Sequence, residues 1–294
     1  MNSEKQIKII ETPRDGMQGL NTIIPTRKKI EYINLLLQCG FDTVEIGSFV
    51  SPRTIPQMAD TAEVLENLDY SKTNSKIAVL AANLKGGELA AHFEVVDQIF
   101  YPFSTSPTFL KKNLNTTVAE AEATVDGLQD LCVRSGKELV AFISLPFGDP
   151  YGDPWSIELV NKWVEKLVEK GIRKIPLADT IGNVDPKVID KVFGSVVPNF
   201  PGIEFGLHAH AYPGKGKRKI AAAWKHGVKR FDTVIRGLGG CPMTDKELVG
   251  NLSLESLITW SESEGVETGL HMENLANART YPLLAPANGG NSRG

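Results

Sequence analysis

The sequence has few cysteines and no long apolar run, and both absences narrow the class of protein. Its three cysteines are Cys39, Cys132 and Cys241. An odd number at wide spacing forms no disulfide framework and suits a reducing compartment, so we expect a cytoplasmic protein. No apolar stretch approaches the roughly 20 residues that a membrane helix needs. The N-terminal residues 1–5 lack the apolar core of a signal peptide, and we expect no membrane partner.

The sequence also lacks an excess of charge of either sign. The net charge is -3, with 41% hydrophobic and 23% charged residues, as in an ordinary globular protein. A nucleic-acid-binding protein usually carries a basic surface, so we expect no nucleic-acid partner. The one basic cluster, residues 215–219, is interpreted as a solvated loop and the start of a helix.

Short apolar runs alternate with longer segments of helical period along most of the chain. The predicted strands span residues 7–11, 43–46, 76–81, 95–100, 138–143, 172–178, 203–207 and 230–235. The predicted helices span residues 26–38, 57–67, 84–92, 117–135, 155–170, 185–196, 217–227 and 252–264.

Eight strand-then-helix units indicate an α/β protein with a (β/α)8 TIM barrel. We assign the barrel to residues 1–269, since no linker or change of composition divides them. Residues 270–284 should form a short additional helix packed on the barrel, with residues 285–294 as a disordered tail. A doubly wound open sheet is the alternative. It requires a glycine-rich phosphate loop after an early strand, and Thr12 to Gly16 is not such a loop.

Two histidines follow the seventh predicted strand. Alternate residues of a strand point to the same side, so His208 and His210 should project together. Two imidazoles placed in this way can bind one divalent metal, or they can be a hydrogen-bonded pair without a metal.

Other polar residues cluster at the same predicted end of the barrel, where such enzymes carry their active sites. They are Arg14, Asp15, Glu45, Asp179, Cys241 and Asn251. Taken singly, Asp179 and Asn251 could be helix caps and Asp15 a turn residue. Taken together, oxygen ligands beside two imidazoles suit Mg2+ or Mn2+ and, less exclusively, Zn2+.

Several segments resemble the 3-hydroxy-3-methylglutaryl-CoA lyases of the DRE-TIM metallolyase superfamily. The matching segments, in family order, are residues 12–18 (TPRDGMQ), 48–52 (SFVSP), 56–60 (PQMAD), 83–86 (NLKG), 179–182 (DTIG), 208–210 (HAH), 239–242 (GGCP) and 250–252 (GNL). The first and the His-x-His segments are shared by the wider superfamily, whereas SFVSP and GGCP are more typical of the lyases.

The resemblance implies a role for each of these residues. The implied metal ligands are Asp15, His208, His210 and Asn251. Arg14 would polarise the thioester carbonyl, and Cys241 would be the catalytic cysteine. Glu45, Asp179 and Glu255 occupy positions tied to the active site, and Gln18 lies beside it.

The implied reaction is a retro-Claisen cleavage of an acyl-CoA thioester to acetyl-CoA and acetoacetate, with Mg2+ or Mn2+. Asp179 and His208 both remain candidates for the base. The alternatives are a Claisen condensation enzyme of the isopropylmalate type, a metal-dependent pyruvate aldolase and a non-catalytic binding barrel. A homodimer is expected from fold-level analogy alone.

Positions 211 and 236 are among those that depart from the lyase pattern. Ala211 stands where an aspartate follows the second histidine, and Arg236 stands where the family has a small residue. Arg236 could bind a substrate carboxylate, or it could pair with an acidic residue on a neighbouring loop.

Overall fold

The computed structural model describes residues 6–20, 22–240 and 249–282, and its centre is a closed barrel of parallel strands. In chain order β1 to β8 are Lys8–Glu11, Thr43–Ser48, Lys76–Leu80, Gln98–Ser104, Glu138–Ser144, Lys174–Asp179, Glu204–Ala209 and Arg230–Thr233. The barrel closes between β1 and β8, where Lys8 pairs with Arg230. The predicted TIM barrel is therefore confirmed.

Helices surround the barrel. Within the described residues α1 to α11 are Pro13–Gln18, Thr26–Leu36, Thr61–Glu66, Leu84–Ala91, Pro107–Leu114, Val118–Ser135, Ile157–Glu169, Pro186–Asn199, Gly216–Trp224, Leu254–Glu264 and Met272–Arg279. The last is the expected additional C-terminal helix, and the tail predicted at 285–294 lies outside the described residues. No helix in the described ranges is both long and apolar enough to cross a membrane.

Local sequence signals explain where α6 begins and ends. The side chain of Thr117 accepts a hydrogen bond from the Glu120 backbone, and the Glu120 side chain accepts one from the Thr117 backbone. This capping box satisfies amide groups that the first helical turn leaves unpaired. Gly136 ends the helix in a left-handed conformation, with φ of 66°.

The structure differs from the sequence prediction in several elements, among them two helices and one strand. Helices α1 and α5 were not predicted, and each begins at a proline, Pro13 and Pro107. Proline suits the first helical turn because its missing N–H has no helical partner there. The fourth strand begins at Gln98, later than predicted, because Val95 and Val96 lie in the preceding turn.

The barrel interior is divided between apolar and charged side chains. An apolar cluster contains Ile10, Ala78, Phe100, Val140 and Phe142, most of them from β3 to β5. The interior ends of β7 and β8 instead carry His208, Asp232 and Arg230, of which the last two are almost fully buried. These charged side chains lie below the mouth of the barrel, where the predicted site residues are found.

Candidate active site

Three potential metal ligands meet at the mouth of the barrel. Asp15 is on α1, His208 is on β7, and His210 follows that strand directly. One ligand atom from each side chain lies within 4.8 Å of the others. The two imidazole rings are 5.6 Å apart, as expected for alternate residues of an extended chain. The structure thus brings together three of the four predicted ligands in one cluster.

The chemistry of the donor atoms fits a cation. Asp15 Oδ2 and His210 Nδ1 are buried, and neither has a hydrogen-bond partner among the described residues. Such orphaned atoms are rare in folded proteins. Asn251, the fourth predicted ligand, forms an isolated backbone bridge with His210, and its side-chain amide donates to the Leu238 carbonyl at 2.8 Å. A carboxylate, two imidazoles and an amide can coordinate a divalent metal.

The surroundings favour the protonation states that metal binding requires. Burial alone would raise the pKa of Asp15, but Arg14 and the two imidazoles outweigh it and lower that pKa. Burial alone would lower the pKa of His208, but Asp232 raises it above its ordinary value. At His210 burial prevails and lowers the pKa to about 4. At neutral pH Asp15 is therefore ionised and His210 is neutral, as ligands must be.

Arg14 and Glu45 form a buried ion pair beside the cluster. Arg14 Nε and Nη2 donate to the Glu45 carboxylate over 2.8 to 3.0 Å. Its Nη1 donates to Asp15 Oδ1 at 2.9 Å and to Gln18 Oε1 at 3.0 Å. Burial raises the pKa of Glu45 to about 6, although Arg14 opposes that shift. The paired bonds fix the plane of a guanidinium that stays charged at all physiological pH values.

Asp232 contacts the ring of His208 and was not among the predicted site residues. Its Oδ2 lies 3.2 Å from His208 Nδ1, and its side chain is fully buried. Arg230 lies beneath it, with Nε 3.4 Å from Asp232 Oδ1. The carboxylate fixes the ring so that Nε2 faces Asp15, 3.8 Å from its Oδ2. Two opposite charges at alternate positions of one predicted strand, Arg230 and Asp232, were the available sequence signal.

Asp179 is placed differently from the other predicted residues. Its Oδ1 accepts from the Gly182 backbone at 2.8 Å, and its Oδ2 accepts from Lys219 at 2.5 Å. Asp179 is 1% exposed, and it does not line the cavity above the cluster, whereas its neighbour Thr180 does. Lys219 was also missed, because it belongs to the basic run that was interpreted as solvated.

A cavity of about 140 Å³, partly open to solvent, lies above the cluster. Arg14, Asp15, Glu45, His208 and His210 line one side of it. The other side is largely apolar and includes Ile55, Leu80, Pro102, Phe109, Leu114 and Phe142. The polar wall at the cluster and the apolar wall opposite suit a ligand that has a polar head and apolar groups.

The family model of HMGL-like proteins matches residues 6–281. The chain belongs to this family. It is 32% identical over 278 residues to the mitochondrial hydroxymethylglutaryl-CoA lyase of Macaca fascicularis, covering 94% of this chain and 85% of that one. The cytoplasmic 3-hydroxy-3-methylglutaryl-CoA lyase of Rattus norvegicus is 31% identical, with 94% and 80% covered. The resemblance inferred from the motifs is therefore confirmed.

Solved structures of HMG-CoA lyases have the same fold. The enzyme from Brucella melitensis superimposes with a TM-score of 0.87 at 30% identity, covering 95% of this chain and 98% of that one. The enzyme from Acinetobacter baumannii, in complex with coenzyme A and 3-methylmalate, gives 0.88 at 31% identity, with 97% and 92% covered. As a member of the family, this chain is a carbon–carbon lyase.

The remaining predicted site residues of this HMGL-like protein either lie away from the cluster or fall outside the described residues. Cys241 is outside the described residues. Arg236 is exposed, and it is not among the described residues that line the cavity. Its backbone N–H donates to Glu255 Oε2 at 2.9 Å, and Glu255 Oε1 lies 3.1 Å from Arg279 Nε. Glu255 thus ties the turn after β8 to the C-terminal helix.

Proposed function

We propose that this protein cleaves (S)-3-hydroxy-3-methylglutaryl-CoA to acetyl-CoA and acetoacetate. The observation that carries the proposal is the cluster of Asp15, His208 and His210, with Arg14 beside it, in a chain of the HMGL-like family. Curated relatives are named as lyases of this substrate, and one lyase structure contains coenzyme A. Both facts support an acyl-CoA thioester as the substrate.

We assign the cation site to Asp15, His208, His210 and Asn251, with Mg2+ or Mn2+ as the ion. When bound, the ion supplies a Lewis acid that orients the substrate alcohol and makes it more acidic. Arg14 is the permanent positive charge nearest the cluster in the cavity wall, and it would stabilise the developing enolate oxygen. Glu45 holds its guanidinium in place. Cys241 would return a proton to the acetyl-CoA carbanion.

The contacts favour His208 over Asp179 as the base. Both oxygens of Asp179 accept hydrogen bonds, from Gly182 and Lys219, away from the cavity. His208 lines the cavity, and Asp232 stabilises its ring as it gains a proton. Because Nδ1 is bonded to Asp232, Nε2 cannot bind the ion and accept the proton at the same moment. For His208 the roles of ligand and base are therefore alternatives, whereas Asp15, His210 and Asn251 would be ligands in either case.

The test is a cleavage assay on protein stripped of metal and then supplied with Mg2+ or Mn2+. We expect acetyl-CoA and acetoacetate, identified by mass, only when metal is added. A His210→Ala variant that retains its circular dichroism spectrum should be inactive. Condensation of acetyl-CoA with a 2-oxo acid and pyruvate aldol cleavage are assayed in parallel. Turnover in either of these, with none of the glutaryl thioester, would overturn the proposal.

The homodimer and the cytoplasmic location stay predictions from the sequence. Support for a reducing compartment comes from the cysteines, since Cys39 and Cys132 are both buried free thiols.

A further inference from the structure

Lys219 is a buried cation directly behind the proposed metal ligands. It lies on α9 and is only 2% exposed. Its ammonium group donates to Asp179 Oδ2 at 2.5 Å, to the Gly182 carbonyl at 2.7 Å and to the His210 carbonyl at 2.8 Å. An ammonium group has three hydrogens, so these acceptors saturate it. A buried charge is tolerated when it is paired and fully hydrogen-bonded in this way.

The three acceptors belong to different parts of the barrel mouth. Asp179 ends β6, Gly182 lies in the loop after it, and His210 follows β7. The backbone N–H of His210 also donates to the Asp179 carbonyl, at 3.1 Å. His210 is therefore held at its N–H by β6 and at its carbonyl by Lys219. A shift of the His210 carbonyl would therefore also move the His210 ring, which carries the proposed ligand atom Nδ1.

The loop after β6 is packed closely enough to transmit such a change. Gly182 has φ of 80°, and a Cβ added to it would lie 2.9 Å from His210 Cβ and 2.6 Å from a methyl group of Val249. The loop is therefore in contact with the proposed ligand on one side. Ala211, where lyases carry an aspartate, offers no side-chain hydrogen bond. Lys219 therefore supplies a polar contact to His210 that the side chain at position 211 cannot supply.

We propose that Lys219 is a positioning residue for the metal centre, which fixes His210 through its carbonyl and holds Asp179 out of proton transfer. The inference rests on the proposed cation site, and it predicts a role in metal affinity rather than in stability alone. Removing a residue that orients a metal ligand typically weakens binding about 10- to 100-fold.

The test is the affinity for Mn2+, measured by isothermal titration calorimetry on metal-free protein. We expect Lys219→Met to weaken Mn2+ binding by about 10- to 100-fold. Lys29→Met is the matched control. Lys29 is also 2% exposed, and it pairs with Asp60 at 2.7 Å and with the Gln57 carbonyl, apart from the ligands. This control should lower the midpoint of thermal unfolding and leave Mn2+ affinity within about twofold of wild type.

A double variant covers the case in which Lys219→Met does not fold. Lys219→Met with Asp179→Asn removes the carboxylate that would otherwise be buried without its cation. It should recover much of the thermal stability while Mn2+ binding stays weak, since the His210 carbonyl is still unsupported. Wild-type Mn2+ affinity in the folded double variant would overturn the inference.

The outcome is independent of turnover. If wild-type protein binds Mn2+ and Lys219→Met weakens binding, the inference holds even when no thioester is cleaved, and only the proposed substrate is wrong. If wild-type protein binds no Mn2+, the proposed cation site is wrong and this inference is overturned with it.

Discussion

Glu11 should make the stability of the protein fall with rising pH, and Glu11→Gln should remove that fall. Glu11 ends β1, and its side chain is fully buried. Its Oε1 accepts from the Ile235 backbone N–H at 2.8 Å, and its Oε2 accepts from the Thr233 hydroxyl at 3.0 Å. Burial outweighs these hydrogen bonds and raises the pKa of Glu11 from 4.5 to about 8. At neutral pH the folded protein therefore keeps a proton that the unfolded chain releases.

The direction follows from proton linkage. Between pH 4.5 and 8 the folded state binds more protons at this site than the unfolded state, so stability falls as pH rises. Each pH unit costs about 1.4 kcal/mol, and the full shift corresponds to about 5 kcal/mol above pH 8. A glutamine at position 11 keeps an acceptor for Ile235, and its amide can donate to the Thr233 hydroxyl. It has no proton to lose, so its own contribution does not change with pH.

The assay is urea unfolding of metal-free protein at one-unit steps from pH 5 to 9. The free energy of unfolding of Glu11→Gln minus that of wild type should rise with pH by several kcal/mol in total. Glu264→Gln, at an exposed glutamate, should give a flat difference. A difference for Glu11→Gln that is independent of pH would show that Glu11 is ionised in the folded protein, contrary to this reasoning.

Two further substitutions test the proposed roles in the site. Asp232→Asn should lower kcat/KM for the glutaryl thioester at least about a hundredfold with folding intact, because Nδ1 of His208 loses its anionic acceptor. A loss under threefold would contradict this. Arg236→Ala should raise KM by roughly two- to fivefold with kcat unchanged, as for a solvent-exposed charge that pairs with a substrate carboxylate. An unchanged KM would end its proposed role in substrate binding.

The barrel could be predicted from the sequence because apolar runs of strand length alternate with amphipathic segments. This signal is local, since each strand or helix can be recognised from its own stretch of residues. Helices α1 and α5 were not predicted, and at 6 and 8 residues both are shorter than the window in which a helical period can be recognised. The early start predicted for β4 has another cause. Val95 and Val96 are apolar because they pack under the strand, and apolarity alone does not separate packing in a turn from pairing in a sheet.

The site was predicted as far as residue type and strand position allow. These side chains converge in one closed barrel because Arg14 and Asp15 follow β1, Glu45 lies on β2 and His208 lies near the end of β7. Lys219 was not predicted as a site residue, because its burial depends on which face of α9 packs against the barrel. Its neighbours Ile220 and Ala223 are fully buried, and this packing turns Lys219 toward the barrel although it ends a basic run. Contacts of this kind depend on how a helix packs, which composition does not reveal.

The two histidines of the motif are equivalent in the sequence and unequal in the structure. The Asp232 carboxylate contacts His208 and raises the pKa of that histidine, whereas burial lowers the pKa of His210 to about 4. Neighbouring groups whose pKa values are driven apart commonly divide acid–base roles between them. The side chain of His208 thus suits proton uptake, and that of His210 suits a neutral ligand. The Asp232 carboxylate at one histidine and burial without such a partner at the other, rather than the His-x-His spacing, create this difference.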